Sequence, residues 1–249
     1  LGHRIVYKDI VDSTQNIAIA IAEKGNGVHG TVVIADKQRQ GRGRLRREWL
    51  SPSGGLWMSV ILKPDAPTSM ITLLPLAAAL SVCHAIRKCT GLDAKLKWPN
   101  DVMISGKKVA GILLDISAEA ERVNYSVIGI GVNANVDSSS ISAGFTPGAS
   151  RVTSISDELG RDVSRLELAR AILENLERHV SKLDSEEADA ILKEWEANAD
   201  MLGRQVKVLQ NGRMVCHGIA RGVADDGSLI IQDGNREVKI ASGDIRVSY

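Results

Sequence analysis

Alternating and β-branched apolar runs take turns with stretches of helical period along most of the chain, which predicts strands interleaved with helices. RIVYK (4–8) predicts a strand, and Asp12-Ser13-Thr14 supplies N-cap chemistry for a helix running to Lys24 and stopped by Gly25. TVVIADK (31–37) and GLWMSVILK (55–63) predict strands on either side of a polar loop. Residues 68–90 predict a long apolar helix closed by Gly91, in which Pro75 marks either a kink or a late start. KLKW (95–98), KVAGILLDIS (108–117) and VNYSVIGIGVNAN (123–135) predict further strands with short turns, among them Ser105-Gly106. Ser164-x-x-Glu167 opens a second long helix, with Ala169, Ile172, Leu173, Leu176, Val180 and Leu183 on one face. That face is core, not a cofactor site.

From Gly203 the texture changes. QVKVL, MVCHGIARGV, SLIIQD and EVKIAS are short strands separated by Asn-Gly, Asp-Asp-Gly and Asp-Gly-Asn turns, the pattern of a small antiparallel barrel. About 47 residues is little for an independent core, so this unit is expected to dock on the larger one. The predicted fold class is therefore α/β (α+β): a mixed central sheet with flanking helices over residues 1–200, and a barrel over 201–249.

Composition narrows the function. The chain has 249 residues, 44% hydrophobic and 24% charged, and Lys+Arg 31 against Asp+Glu 30 leaves a net charge of +1. No protein-wide basic field exists to hold nucleic acid. Three cysteines without zinc-ligand spacing read as reduced thiols, and no apolar run approaches the roughly 18 residues of a spanning helix. A cytoplasmic location without membrane association is expected.

The unusual polar features are local. KQRQGRGRLRREW (37–49) places five arginines in the nine positions from Arg39 to Arg47, with glycines among them. Such a run is either a solvated or nucleic-acid-binding segment, or a clamp whose glycines let the backbone close while guanidinium forks take phosphate oxygens. Flanking strands, Trp49 at the exit and two further polar stretches favour the clamp. In KWPND (97–101), Pro99 cannot donate to a ladder, so Trp98, Asn100 and Asp101 are presented at a strand break. An ordinary turn with Asp101 as an Asx cap is the plain alternative; a carboxylate and an amide beside a lysine-bearing strand suit a phosphate and its Mg²⁺. In GKKVAGIL (106–113), Lys108 enters an otherwise apolar strand, where an anion would offset its burial, and Gly111 leaves room above it. GIGVNA (129–134) satisfies a dinucleotide fingerprint but is followed by a helix-hostile stretch, and no P-loop motif occurs.

GRGRLRREW, KWPNDV, KVAGILLD and GIGVNAN, in that order and at these separations, resemble the catalytic domain of the biotin protein ligases. The C-terminal barrel resembles the SH3-like module of that family, so the likeness covers essentially the whole chain. One departure stands out: the family loop commonly reads GRGRxGRxW, and Arg46 occupies the place of the last glycine of that pattern.

The resemblance implies the biotin/lipoate ligase fold, akin to class II synthetases, and a reaction in two halves. Biotin and ATP give biotinyl-5′-AMP and pyrophosphate, with Mg²⁺ accompanying ATP; the biotinyl group then passes to one lysine of a biotin carboxyl carrier protein or domain. It implies that Ser13, Thr14 and Gln38 meet the ureido head of biotin, that Gly41 and Arg42 close over the vitamin, and that Gly111 makes room for the valeryl chain. Lys108 would bridge the biotin carboxylate and the phosphate, and with Arg42 and Asp101 would make up the catalytic set. Arg44, Arg47, Trp49, Asn100 and Asn133 fall on the nucleotide side, and residues 136–148, with Phe145 and Pro147, on the adenine. Asp101 is open to two roles, binding Mg²⁺ or receiving the acceptor lysine.

Other functions remain in view: a lipoate or octanoate ligase of the same fold, a nucleic-acid-binding module built on the arginines, and an inactive ligase domain serving protein interaction. The chain opens on Leu1 rather than Met, which leaves a longer gene product open. Before Asp12-Ser13-Thr14 there is no room for a three-helix DNA-binding unit, so no sequence-specific DNA binding is expected of these residues. Self-association as a homodimer is left open.

Overall fold

A computed structural model describes residues 1–25, 29–63, 71–119, 122–142, 151–183, 187–210 and 212–247. The seven-stranded sheet has the order β1-β2-β3-β7-β6-β5-β4, formed by β1 (Arg4–Val11), β2 (Thr31–Gln38), β3 (Leu56–Leu62), β4 (Ala94–Lys97), β5 (Asp101–Ile104), β6 (Lys107–Glu119) and β7 (Arg122–Val132). β1 and β2 run parallel because α1 (Thr14–Glu23) carries the chain back between them. The other pairings are antiparallel.

Strand alternation divides the sheet's two faces. Leu56, Met58, Val60 and Leu62 of β3 and Ile128, Ile130 and Val132 of β7 enter the main core. α2 (Leu74–Thr90) and α5 (Arg165–Leu183) contribute to this same core, and the short helices α3 (Ser138–Ser142) and α4 (Ile155–Leu159) lie between them in sequence. On the opposite face, Ala18 and Ala22 of α1 pack against Val33, Ile61 and Val127. Small alanines let α1 approach closely, and the candidate site opens beside it.

Pro75 lies in the first turn of α2, which resolves the alternatives in favour of a late helix start; Gly91, at φ 75, caps its other end. Residues 68–70 of the predicted helix lie outside the described residues. β1 runs to Val11, beyond the predicted end, and α6 (Ala188–Ala197), which the apolar pattern had not marked, follows α5. No described helix is long and apolar enough to cross a membrane.

The second sheet, β11-β10-β9-β8-β12, is antiparallel throughout: β8 (Gln205–Gln210), β9 (Arg213–Val223), β10 (Leu229–Asp233), β11 (Arg236–Ile240) and β12 (Asp244–Val247). Its Val206, Val208, Leu229 and Ile231 belong to the same apolar cluster as the main core, as expected for a unit too small to bury one alone. Trp98 Nε1 donates to Gly227 O at 2.9 Å, and Val223 N donates to Glu196 Oε1 at 2.7 Å. These bonds hold the second sheet against the KWPND turn and α6.

Candidate active site

The floor of the site is a strip of bare backbone. In β6 and β7, Gly111 stands opposite Gly131 and Leu113 opposite Gly129. Since alternate residues face opposite ways, Ala110, Ile112, Ile128 and Ile130 fill the core and the glycines are left on the face shared with α1. The Trp49 ring lies across the strip: a Cβ on Gly131 would come within 2.6 Å of Trp49 Nε1, and one on Gly111 within 3.0 Å of Cζ3. Lys108 Nζ stands 5.0 Å from the centroid of that ring, within cation–π range.

A network of polar side chains runs from this tryptophan under α1. Ser51 Oγ donates to Trp49 O at 2.9 Å and accepts from Gln38 Nε2 at 2.8 Å. Gln38 Oε1 accepts from Thr14 N at 2.9 Å, and Thr14 Oγ1 lies 3.1 Å from the same oxygen and 2.9 Å from Ser59 Oγ. Ser59 donates to Gln15 Oε1 at 2.8 Å, and Gln15 Nε2 donates to Asp115 Oδ2 and Val127 O, each at 2.9 Å. The other oxygen of Asp115 accepts from Arg42 Nη2 at 3.1 Å, while Arg42 Nη1 donates to Asn16 Oδ1 at 3.1 Å. Only glycine fits at position 41, where a Cβ would lie 2.2 Å from Trp49 O.

Beyond Trp49 the site becomes cationic. Lys108 Nζ pairs with Asp101 Oδ1 at 2.5 Å, and Arg44 Nη1 donates to Asn100 Oδ1 at 3.1 Å. Asn100 Nδ2 donates to Ile112 O at 2.6 Å, which fixes the amide. Arg47 forks onto both oxygens of Asp244, at 3.1 Å on one side. Burial pulls the Arg44 guanidinium and the Lys97 ammonium below their ordinary values, with the charge of Asp101 working against it in both. Burial raises the Asp244 carboxyl, but the hydrogen bond and charge of Arg47 outweigh it and hold the group below the usual carboxylate range. Lys97, Lys108, Arg44 and Arg47 thus face Asp101 and Asp244, a surplus of positive charge in a partly desolvated space.

The loop between the two regions is a tight turn. Gly43 N donates to Arg47 O at 2.8 Å, and Arg44–Arg46 make one 3₁₀ turn with Leu45 at φ 54 and Arg46 at φ 59. Arg46 therefore carries a side chain in left-handed backbone, where glycine costs least; the penalty for other residues is about 1–2 kcal/mol.

The residues singled out from sequence fall into place unevenly. Thr14, Gln38 and Gly41 share one network, and Arg44, Asn100, Asp101, Lys108, Trp49 and Gly111 adjoin it. Ser13 sits at the N-cap position, but its buried hydroxyl makes no capping bond and has no partner among the described residues; Gln38 instead takes the Thr14 N–H. Asn133 serves the scaffold, its Nδ2 donating to Thr153 O at 3.0 Å. Arg42 and Arg47 are each held by a carboxylate. Phe145 and Pro147 lie outside the described residues. Sequence reasoning missed Gln15, Asn16, Ser51, Ser59, Lys97, Asp115 and Asp244. Gln15 and Asn16 follow Thr14 directly and Asp115 closes KVAGILLD, so adjacency was the available signal; Asp244 had none.

A polar hydrogen-bonded network, a glycine trough and a cation cluster thus lie in series along this face of the sheet. Residues 8–133 match the Biotin/lipoate A/B protein ligase family and residues 201–247 the Biotin protein ligase C terminal domain. The chain is 36% identical over 249 residues to the bifunctional ligase/repressor BirA of Bacillus spizizenii, covering 99% of this chain and 75% of that protein. It is 34% identical over 224 residues to the biotin–[acetyl-CoA-carboxylase] ligase of Paracoccus denitrificans, covering 89% and 91%. The structure of a biotin protein ligase from Aquifex aeolicus in complex with biotin and ATP matches with a TM-score of 0.81 at 30% identity, over 99% of both chains. The chain belongs to the biotin/lipoate A/B protein ligase family, on its biotin protein ligase branch.

Proposed function

We propose that this chain activates biotin with ATP to biotinyl-5′-AMP and transfers the biotinyl group to a lysine of a biotin carboxyl carrier protein or domain. The observation that carries the reading is the position of Lys108, paired with Asp101 and set over Trp49 between the amide pocket and the arginine cluster. The ureido head of biotin suits the network of Thr14 and Gln38, and the unpartnered Ser13 hydroxyl is a group that a ligand amide would complete. The valeryl chain follows the Gly111–Gly131 strip, with the Trp49 ring lifting to form its other wall. Arg42 leaves Asp115 to close over the vitamin.

Adenylation presses a carboxylate against an α-phosphate, so two anions must be brought together. Lys108 stands between them, Arg44 and Arg47 take phosphate oxygens, and Asn100 completes the nucleotide side, with Asn133 supporting it from the scaffold. Asp101 already holds one lysine ammonium; once Lys108 turns to the ligand, the same carboxylate is free to receive the acceptor lysine. Before the acceptor arrives, the Asp101 carboxylate, set among cations, would suit Mg²⁺ carried in on nucleotide phosphates rather than an all-protein cage. Bound there, Mg²⁺ would neutralise phosphate charge. We divide the chain into a catalytic unit, 1–200, and a docking unit, 201–249, and place it in the cytoplasm, where its free cysteines stay reduced.

The test is pyrophosphate release from the full chain with ATP and either biotin or lipoate, followed by transfer of labelled vitamin to a carrier domain. Release and transfer with biotin alone are expected. Absence of release with biotin, or release with lipoate instead, overturns the reading.

A further inference from the structure

On the other face of the sheet, α2, α5 and α6 bring His84, His179 and Glu194 together, remote from the adenylation chemistry. His179 is wholly buried. Ser81 Oγ lies 2.7 Å from Ala77 O and 2.8 Å from His179 Nδ1. A carbonyl can only accept and the hydroxyl has one proton, so Ser81 donates to Ala77 O and accepts from the Nδ1–H of His179. That bond fixes the tautomer and leaves a lone pair on Nε2. Nε2 stands 3.8 Å from Glu194 Oε2, and His84 Nε2 stands 3.6 Å from Glu194 Oε1. One ligand atom from each of the three residues falls within 4.8 Å of the others. Around a tetrahedral zinc ion, with bonds of about 2.0–2.1 Å, neighbouring ligand atoms are roughly 3.3 Å apart, so modest side-chain rotation closes the set.

We propose that His84, His179 and Glu194 bind a divalent transition-metal ion of the Zn²⁺ class, with water in the fourth position. Two imidazoles and a carboxylate suit that class better than Mg²⁺ or Ca²⁺. In the metal-free chain Arg178 takes the cation's place: its Nη2 lies 3.3 Å from His179 Nε2 and 3.1 Å from Asn175 Oδ1. The Arg178 side chain is exposed and can turn outward, and the partly exposed His84 and Glu194 leave a path of entry. The ion would tie three helices at once. Because α6 also carries Glu196, which anchors Val223 of β9, the tie would stiffen the support of the second sheet.

The experiment titrates Co²⁺, then Zn²⁺ in competition, into the full chain carrying Cys89→Ser, which removes the exposed thiol as a competing ligand. One Co²⁺ per chain is expected, with the ligand-field absorption of a tetrahedral site and a higher thermal midpoint. His84→Ala and Glu194→Gln should abolish the absorption, and Ser81→Ala should weaken binding about 10–100-fold, as loss of a ligand's orienting partner does. Arg178→Gln should tighten binding by removing the competing cation. Neither His84 nor Glu194 is fully buried, so these variants are expected to fold, as their circular dichroism will show. Absorption that persists in both variants overturns the site. Equally, an Arg178→Gln chain that takes up no Co²⁺ overturns the site, because the three side chains then bind no metal even with the competing guanidinium removed.

Discussion

Asp244→Asn tests whether the second sheet restrains the arginine loop. Arg47 holds both oxygens of Asp244, yet the two side chains are 59% and 42% exposed, so solvent screens the pair. Its contribution is therefore about 0.2–1 kcal/mol, not that of a buried ion pair. At about 1.4 kcal/mol per tenfold, this corresponds to about a 1.4- to 5-fold change in an equilibrium. Arg47 must leave Asp244 to reach a nucleotide phosphate, so Asp244→Asn should lower the KM for ATP by that factor and leave the KM for biotin unchanged. Pyrophosphate release with ATP varied at saturating biotin measures it, and high salt should shrink the difference. The pair also sets a pH dependence. Since Arg47 holds the Asp244 carboxyl below its ordinary value, the contribution is complete above the unfolded carboxylate range and disappears as acid protonates the folded group. Arg47→Ala is the control: in that background Asp244→Asn should no longer change the KM for ATP. A KM for ATP that rises in Asp244→Asn, or a fall that survives Arg47→Ala, refutes the competition and makes Asp244 a support of the closed loop.

Lys108→Met should slow adenylation about 10²–10³-fold with little change in the KM for biotin; a defect confined to KM in single-turnover assays would reassign Lys108 to ground-state binding. Gly131→Ala would place a Cβ in the trough that the valeryl chain follows, 2.6 Å from Trp49 Nε1 as the ring now lies. Biotin affinity should fall by about tenfold or more, and unchanged affinity by calorimetry would remove the glycine strip from the site. Burial lowers the His179 pKa from 6.5 to about 4, so the unfolded chain takes up a proton first on acidification. Stability should fall between those two values, by at most about 1.4 kcal/mol per pH unit. Urea midpoints across pH should lose this slope in His179→Gln, and a slope that persists would place its origin elsewhere.

Much of the fold was legible because local chemistry decides local conformation. Apolar and β-branched runs marked β2, β3, β6 and β7, Gly91 marked the end of α2, and the arginine loop and KWPND turn stood out against apolar neighbours. Even the glycine floor is written in VIGIGV, whose alternation sends isoleucine to one face and bare backbone to the other. The family's motifs then assigned chemistry to these elements. What the sequence could not disclose is which polar groups meet. Gln15 reaches Asp115 across 100 positions, a contact set jointly by the seating of α1 and the register of β6. Arg47 meets Asp244 across 197, through a strand of four residues too short to show a period. Pro75 as kink or start, and the lack of a capping bond from Ser13 at its N-cap position, were likewise decided by packing. Side-chain hydrogen bonds depend on distances that only the assembled sheets and helices set, whereas backbone conformation is biased residue by residue along the chain.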